Sequence, residues 1–247
     1  MAGVLFGLYG LAAYIFFFLT FLYAIAFVGD LPVPKTIDSG AQGPLVPSLV
    51  IDALLLGLFA VQHSVMARPA FKRWWTKILP QPIERSTYVI AASAALVILY
   101  VYWRPLTQPI WSVPTGTATL VLLVLFWMGW GIVLTSTFLI NHFELFGLKQ
   151  VYDRLRDQKA ADPEFRTPLF YRVIRHPIYF GFILAFWATP TMTLGHLVFA
   201  LATAAYIVIA IQLEERDLLD LFGEQYRAYR GRVGMLLPKL GGGSVAK

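Results

Sequence analysis

Four short groups of polar residues stand at the ends of long apolar segments, and their residue types could do chemistry together. The groups are Gln62-His63-Ser64, Asn141-His142-Phe143-Glu144, Arg175-His176-Pro177 and Glu214-Glu215. Histidine titrates near neutral pH and serves as a general base, while carboxylates bind cations and hydroxyl groups. Because polar residues next to lipid are costly, their concentration at one depth indicates a common functional site.

Each group also has a purely structural explanation. His63 would hydrogen-bond a neighbouring helix. Asn141 and Glu144 would be ordinary interfacial residues at a helix end. The Glu214-Glu215 pair would be the solvated start of a helix, where negative charge suits the helix dipole.

The pattern gives little support to a metal site. The chain has four histidines and no cysteine. No two histidines are spaced i, i+4, and neither HExxH nor a glycine-rich dinucleotide motif is present. We therefore predict no metal ligands, and the lack of cysteine excludes disulfides, thiolate catalysis and iron–sulfur clusters.

The elements that must position these residues are transmembrane helices. Of the 247 residues, 58% are hydrophobic and 14% are charged, against about 25% charged in soluble domains. Apolar segments long enough to span a bilayer occupy about residues 4–28, 45–67, 87–103 and 117–140. The apolar region 177–213 is too long for one straight helix, and Thr189-Pro190-Thr191 interrupts it, which predicts a helical hairpin.

The basic residues alternate between the two ends of this bundle. Of the 20 Lys and Arg residues, only Lys35 and Arg104 lie in the first and third connecting segments. The positive-inside rule then places both termini and the basic segments in the cytoplasm. The net charge of +6 fits attraction to anionic lipid, so we expect membrane lipid and no nucleic acid as a partner.

The predicted fold is an all-α integral membrane bundle of five to six transmembrane helices, which forms a single domain. It comprises four spanning helices, a cytoplasmic loop, the helical hairpin and a cytoplasmic tail, at residues 1–140, 141–176, 177–213 and 214–247. Apolar residues at spacings of three and four predict an amphipathic helix over residues 214–233. The sequence Gly-Gly-Gly-Ser at residues 241–244 is expected to be flexible.

An ordered pattern in the last quarter of the chain resembles a known family. Its three parts are Arg175-His176-Pro177-Ile178-Tyr179-Phe180-Gly181, Glu214-Glu215-Arg216-Asp217-Leu218 and Phe222-Gly223-Glu224-Gln225-Tyr226-Arg227-Ala228-Tyr229. The pattern is similar to that of the membrane methyltransferases related to isoprenylcysteine carboxyl methyltransferase and phospholipid N-methyltransferase.

Earlier segments resemble a narrower group, the bacterial methanethiol S-methyltransferases, which are relatives of the NnrU-type membrane proteins. These segments are Gln62-His63-Ser64, Glu84-Arg85-Ser86-Thr87-Tyr88 and Asn141-His142-Phe143-Glu144-Leu145-Phe146-Gly147-Leu148-Lys149-Gln150. The resemblance implies that S-adenosylmethionine methylates methanethiol, a small volatile thiol, to give dimethyl sulfide and S-adenosylhomocysteine. It also implies a multi-pass protein of the bacterial inner (cytoplasmic) membrane.

The resemblance assigns cofactor binding to the Arg-His-Pro segment and to the Glu-Glu pair. With their neighbours, the expected cofactor-binding residues are Arg175, His176, Pro177, Tyr179, Gly181, Glu214, Glu215, Phe222, Tyr226 and Tyr229. Arg175 and the helix that begins at Pro177 would meet the carboxylate of S-adenosylmethionine. Gly181 would let the cofactor approach this helix closely. The glutamates would bind ribose or ammonium, and the aromatic residues of the tail would cap the pocket.

A thiol with a pKa of about 8.5 or higher needs a base to become the attacking thiolate. The candidate catalytic residues are His142, Glu144 and His63. Three alternatives stay open. The acceptor would be a lipid amine or a prenylcysteine carboxylate, or the chain would carry haem between two histidines, or it would be a non-catalytic NnrU-like membrane protein. No feature of the sequence specifies an oligomeric state.

Overall fold

Ten helices and one small sheet make up the regular structure of residues 2–158 and 164–239, the part of the chain that a computed structural model describes. The helices are α1 Ala2–Val28, α2 Leu45–Ala67, α3 Pro69–Trp75, α4 Gln81–Tyr102, α5 Thr117–Ile140, α6 His142–Leu145, α7 Leu148–Leu155, α8 Pro177–Trp187, α9 Leu194–Phe222 and α10 Glu224–Arg232. The antiparallel strands are β1 Pro109–Ser112 and β2 Thr191–Thr193, and a single 3-10 turn lies at Leu169–Arg172. The predicted flexible residues 241–244 lie outside the described residues.

Five of the helices, namely α1, α2, α4, α5 and α9, are long and apolar enough to cross a membrane. Their outer surfaces carry large apolar side chains, of which Leu54 is 68% exposed and Leu120 is 62% exposed. An apolar surface of this extent suits lipid tails rather than water. The prediction of an all-α membrane bundle is confirmed, with the shorter apolar α8 as the sixth segment.

The interrupted apolar region forms the predicted hairpin, with α8 as its short arm and α9 as its long arm. The turn between the arms contains β2, which pairs with β1. The arm α8 packs directly on α5, where Gly129 and Gly181 face each other. A Cβ added to Gly181 would lie 2.7 Å from the carbonyl oxygen of Gly129, so this contact has no room for a larger side chain.

The tail helix begins later than the sequence pattern predicts. The pattern starts a new helix at residue 214, whereas the structure continues α9 to Phe222 and begins α10 at Glu224. Glutamate and arginine are good helix formers, so the charged residues after Leu213 do not end α9. The break falls at Gly223, whose φ of 52° is a left-handed conformation that glycine adopts without strain.

One end of the bundle, which we call the sealed end, is closed by the connection between α1 and α2 and by the small sheet. The indole nitrogen of Trp103 donates a 3.0 Å hydrogen bond to the carbonyl oxygen of Ile37. The buried carboxylate of Asp52 accepts a 2.8 Å hydrogen bond from the backbone N–H of Arg104. The polar groups singled out in the sequence lie at the opposite end, which we call the polar end.

Residues 141–176 are more structured than a plain loop, because they contain α6, α7 and the 3-10 turn. The amphipathic α7 lies along α1, where Gly7 and Gly10 face Leu155 and Val151. Small residues allow two helices to approach closely, as the Gly-x-x-x-Gly spacing at the start of α1 indicates. The first helix is thereby joined to the polar end.

Candidate active site

The start of α8 is held in place by the C-terminal tail. The backbone N–H of Arg175 donates a 2.8 Å hydrogen bond to the carbonyl oxygen of Gly234, and Ile174 pairs with Gly234 in a parallel β-bridge. Pro177 takes the first position of α8, where its missing N–H leaves no helical hydrogen bond unmade. The predicted Arg-His-Pro segment is therefore a fixed connection with the tail packed against it.

Glu215 is a junction of buried charges. Its Oε1 accepts a 2.7 Å hydrogen bond from Nε of Arg175 and lies 3.1 Å from Nε2 of His176. Its Oε2 lies 3.2 Å from Nε of Arg230. The side chains of Glu215 and Arg175 are only 7% and 8% exposed, and buried charges are stable only when they are paired. Both oxygens of Glu215 are thus occupied by protein groups.

Arg175 also binds the end of α10. Its Nη1 donates to the carbonyl oxygens of Val233 (2.5 Å) and Arg230 (3.3 Å). The last carbonyl groups of a helix lack partners within the helix and carry partial negative charge, so an arginine suits this position. Arg175 therefore connects the start of α8, the end of α9 and the tail, rather than standing free to meet a ligand's carboxylate.

Glu214 faces a different set of groups from its neighbour Glu215. Its Oε2 accepts a 2.9 Å hydrogen bond from the hydroxyl of Tyr179, and both side chains keep some accessible surface. Tyr226 is only 2% exposed, and its hydroxyl has no hydrogen-bond partner within the described residues. Burial, with added repulsion from Glu215 and Glu214, raises the pKa of Tyr226. A buried hydroxyl without a protein partner calls for an explanation, and a water molecule or a polar ligand would supply the missing hydrogen bond.

The aromatic residues of the tail pack together on a side chain that the sequence did not single out. The ring of Phe165 lies 5.3 Å from that of Phe222, 6.0 Å from Tyr226 and 5.3 Å from Tyr229, measured between centroids. The hydroxyl of Tyr229 donates to the carbonyl oxygen of Tyr171 at 2.5 Å, and burial raises the pKa of Tyr229 to about 12. The tail therefore covers the polar end with an aromatic layer.

His63 lies on α2 near the polar end of the bundle, where α2 meets α4 and α9. The hydroxyl of Tyr88, on α4, lies 2.9 Å from Nε2 and 3.0 Å from Nδ1 of His63. The ring of Phe59 stacks on the imidazole with centroids 5.1 Å apart. Ser64, the next residue along α2, lies 3.2 Å from the hydroxyl of Tyr206 on α9. His63 itself keeps part of its surface accessible.

His142 lies elsewhere, between α5 and α1. Its Nδ1 lies 2.9 Å from the hydroxyl of Thr137, and its Nε2 lies 2.8 Å from the hydroxyl of Tyr14. Because the Thr137 hydroxyl donates its proton to the carbonyl oxygen of Leu134, Nδ1 of His142 must donate and Nε2 must accept. The imidazole also stacks on Phe138 at 4.1 Å, and burial lowers its pKa. Both ring nitrogens are thus already engaged.

Glu144 is exposed and pairs with Asn141, the N-cap residue of α6. The backbone N–H of Glu144 donates to the side-chain oxygen of Asn141, and the side-chain amide of Asn141 donates to the carboxylate of Glu144. The first of these bonds satisfies one backbone donor at the start of α6. The structure therefore brings Glu144 together with Asn141 and not with the Glu214 group.

Gly181 occupies a different position from the one that the sequence predicts. We expected it to let the cofactor approach, but a Cβ there would lie 2.7 Å from the carbonyl oxygen of Gly129 and 2.8 Å from Cγ2 of Val133. The close approach at Gly181 is that of α5. Helix packing explains its lack of a side chain. Of the two residues expected to form the wall of the site, only Tyr179 keeps that expected role.

Three residues of the polar end escaped the sequence analysis as site residues: Arg230, Phe165 and Tyr88. Arg230 lies four residues after Tyr226, so helical spacing alone would place both on one face of α10. Tyr88 belongs to a segment that carried the family resemblance, although no role was attached to it. Phe165 has no signal, because an isolated aromatic residue in a connection is uninformative.

A helical bundle with five helices apolar enough to cross a membrane, and with charged residues packed under the tail at one end, defines the class of multi-pass membrane protein. Residues 52–232 match the family described as NnrU protein, so the chain belongs to the NnrU family. No solved structure matches the chain.

Relatives within this class carry specific names. The chain is 56% identical over 231 residues to "Methanethiol S-methyltransferase 1" of Bradyrhizobium diazoefficiens, covering 94% of this chain and 81% of the relative. It is 54% identical over 231 residues to "Methanethiol S-methyltransferase" of Mycobacterium tuberculosis, covering 94% and 95%. It is 30% identical over 185 residues to "Nurim" of Danio rerio, covering 71% and 66%. These matches confirm the resemblance that the motifs predicted.

Proposed function

We propose that this chain transfers a methyl group from S-adenosylmethionine to methanethiol, giving dimethyl sulfide, at the polar end of the bundle. The observation that carries the proposal is the buried hydroxyl of Tyr226, which has no partner among the described residues and belongs to the same polar end as Glu214 and Glu215. It occurs in a chain that is more than half identical to proteins named methanethiol S-methyltransferase.

S-adenosylmethionine supplies an electrophilic methyl group on a sulfonium sulfur, together with hydroxyl, ammonium and carboxylate groups to be bound. Glu214 offers a partly accessible carboxylate for the ammonium or ribose hydroxyl groups, and Tyr226 offers an unsatisfied hydroxyl. The N-terminus of α8 offers positive potential for the carboxylate. The residues present therefore fit this ligand.

Arg175 and Glu215 have a supporting role in this proposal. Since they pair with each other and with the tail, they fix the position of α8 relative to α9 and α10. Phe222, Tyr226 and Tyr229 then cover the site from the tail side and exclude water. Exclusion of water favours methyl transfer, because most of the catalytic help for such a displacement is positioning and desolvation.

We propose that His63 is the base that accepts the proton of the thiol. His63 is partly exposed, and Ser64, the next residue, lies 3.2 Å from the hydroxyl of Tyr206 on α9, the helix that also carries Glu214. The proton of the thiol moves to a ring nitrogen of His63. The thiolate sulfur forms the new bond to the methyl carbon as the bond to the sulfonium sulfur breaks, and the electron pair of that bond remains on the departing sulfur.

His142 and Glu144 are the other candidates for the base. Both nitrogens of His142 are engaged by Thr137 and Tyr14, and the carboxylate of Glu144 accepts a hydrogen bond from the side chain of Asn141. His63 has only the single hydroxyl of Tyr88 near its two nitrogens, and that hydroxyl bonds one nitrogen at a time, so the other stays available to exchange a proton with the substrate. We therefore rank His63 before His142 and Glu144.

We propose further that the polar end faces the cytoplasm of a bacterium, with the protein in the inner membrane and both termini on the cytoplasmic side. The support is the distribution of basic residues. Among 20 Lys and Arg residues, only Lys35 and Arg104 belong to segments at the sealed end. This orientation places the site in the compartment that holds soluble cofactors.

Headspace gas chromatography tests the proposed reaction. Purified protein in detergent receives S-adenosylmethionine and methanethiol, with an assay lacking enzyme and an assay of Glu214→Gln alongside. Dimethyl sulfide should appear in step with S-adenosylhomocysteine and fall in the variant. S-adenosylhomocysteine formed only when bacterial lipid is added would indicate a lipid acceptor instead. Neither product nor S-adenosylmethionine binding by folded protein would overturn the proposal.

A further inference from the structure

A group of aromatic residues surrounds His63, and the proposed chemistry gives two of them no role. Phe59 stacks on the imidazole with centroids 5.1 Å apart and ring planes at 27°. Tyr206 meets Phe59 edge-on, with centroids 6.3 Å apart and planes at 72°. Tyr88 lies 5.2 Å from the imidazole on α4. Three helices, α2, α4 and α9, thus contribute one ring or more each.

The rings of this group are not all part of the buried core. Phe59, His63 and Tyr206 are partly exposed, whereas Tyr88 is 8% exposed. Tyr206 is held by Ser64, whose hydroxyl lies 3.2 Å from its own. We therefore expect the partly exposed rings to keep their positions and to limit the size of a molecule that binds beside them.

This ring group and the groups assigned to the methyl donor share α9. Tyr206 precedes Glu214 by eight residues on that helix, about 12 Å along its axis, and Glu214 accepts a 2.9 Å hydrogen bond from Tyr179. A molecule beside His63 would thus have aromatic rings on one side and the donor site on the other. Thiol sulfur is polarisable and packs favourably against aromatic rings, whereas a polar acceptor gains little from such a wall.

We propose that Phe59 and Tyr206 form the acceptor wall of this site and restrict the acceptor to short alkanethiols. The inference rests on the proposed function and extends it to substrate choice. A longer alkyl chain must displace one of the two rings. In a hydrophobic pocket, one methylene changes the specificity constant by roughly 10- to 200-fold. Removing a ring should therefore admit longer thiols.

The test compares acceptors in three proteins. The wild type, Phe59→Ala and Phe16→Ala each receive S-adenosylmethionine with methanethiol or 1-butanethiol, and kcat/KM is measured for both thiols. Phe16 is 36% exposed on α1, so Phe16→Ala removes a ring of equal size that faces outward. The ratio of kcat/KM for butanethiol to that for methanethiol should rise at least tenfold in Phe59→Ala and stay unchanged in Phe16→Ala.

Two further variants keep the outcome decisive. Tyr206→Leu should raise the same ratio, and Phe59→Leu replaces Phe59→Ala if the latter does not fold. A ratio that stays at the wild-type value in folded Phe59 and Tyr206 variants overturns the acceptor wall, while dimethyl sulfide formation leaves the proposed function standing. Absence of dimethyl sulfide from the wild type overturns the proposed function and the acceptor wall with it.

Discussion

Nε of Arg175 donates a 2.7 Å hydrogen bond to Oε1 of Glu215, and this contact joins the start of α8 to the last turns of α9. Arg230 approaches the other oxygen of Glu215 at 3.2 Å, so α10 meets the same carboxylate. Three helices, α8, α9 and α10, therefore meet at one buried charge. The methyl donor site proposed beside Glu214 lies next to this junction, so its geometry depends on the pairing of Glu215.

Replacing Glu215 should destabilise the protein strongly. Glu215→Ala leaves the buried guanidinium of Arg175 without its carboxylate, and breaking a buried pair in this way costs about 3–5 kcal/mol. Asp217→Ala is the matched control, because its partner Arg68 is 29% exposed and the pair contributes less than about 1 kcal/mol. Thermal unfolding in detergent measures both. Equal shifts in the unfolding temperature of the two variants would contradict the stabilising role of the buried pair between Glu215 and Arg175.

The contact between α5 and α8 can be tested by comparing substitutions of two glycines on α5. Gly129→Ala would place a Cβ 2.6 Å from the backbone nitrogen of Ala185, whereas a Cβ on Gly131 meets no atom within 4 Å. We expect Gly129→Ala to lower the unfolding temperature in detergent and Gly131→Ala to leave it unchanged or raise it slightly, since alanine is the better helix former. A similar decrease in both variants would show that helix propensity, and not packing, governs α5.

Most of the fold could be predicted from the sequence because lipid imposes a strong pattern. Long apolar runs predicted the spanning helices, and Pro190 predicted the hairpin. The short α6 and α7 were missed, since helices of four and eight residues show too few turns for periodicity to be recognised. The end of α9 was misplaced because charge was taken as a boundary, while the chain breaks at Gly223.

The site was predictable as a set of residue types at one end, but not as a set of partners. Arg175 and Glu215 were both expected to face the cofactor, and their mutual pairing depends on the packing of α8 against α9. Gly181 was expected in the site and packs on α5. Phe59 and Tyr206 gave no signal, because an aromatic residue in an apolar helix looks the same whether it faces lipid, core or substrate.

His142 should make stability depend on pH. Burial lowers its pKa below the value of 6.5 that we take for the unfolded chain. The unfolded chain therefore binds the proton more readily, so the stabilising contribution is complete above about pH 6.5 and is lost as the pH falls through and below that value. Unfolding temperatures at about pH 7.5 and about pH 5 measure the loss. His142→Asn should show a smaller difference between them, and an equal difference would contradict this assignment.

Tyr88 should act as a positioning residue for His63. Its hydroxyl lies 2.9 Å from Nε2 of His63, and one neutral hydrogen bond contributes about 1 kcal/mol. Tyr88→Phe should therefore lower kcat roughly fivefold, with the KM for S-adenosylmethionine unchanged. The control is Tyr9→Phe, which removes a 2.9 Å hydrogen bond to Thr87 on the same helix, α4. Equal losses of kcat in the two variants would indicate a purely structural effect on α4.

The proposed orientation can be tested by labelling, because the chain has no cysteine of its own. Ala41→Cys introduces a thiol at an exposed position near the sealed end, and Thr76→Cys introduces one at an exposed position near the polar end. A membrane-impermeant maleimide applied to spheroplasts should label the first variant and reach the second only after permeabilisation. The opposite result would place the basic segments outside, against the positive-inside rule, and would move the site to the face where a cytoplasmic methyl donor is absent.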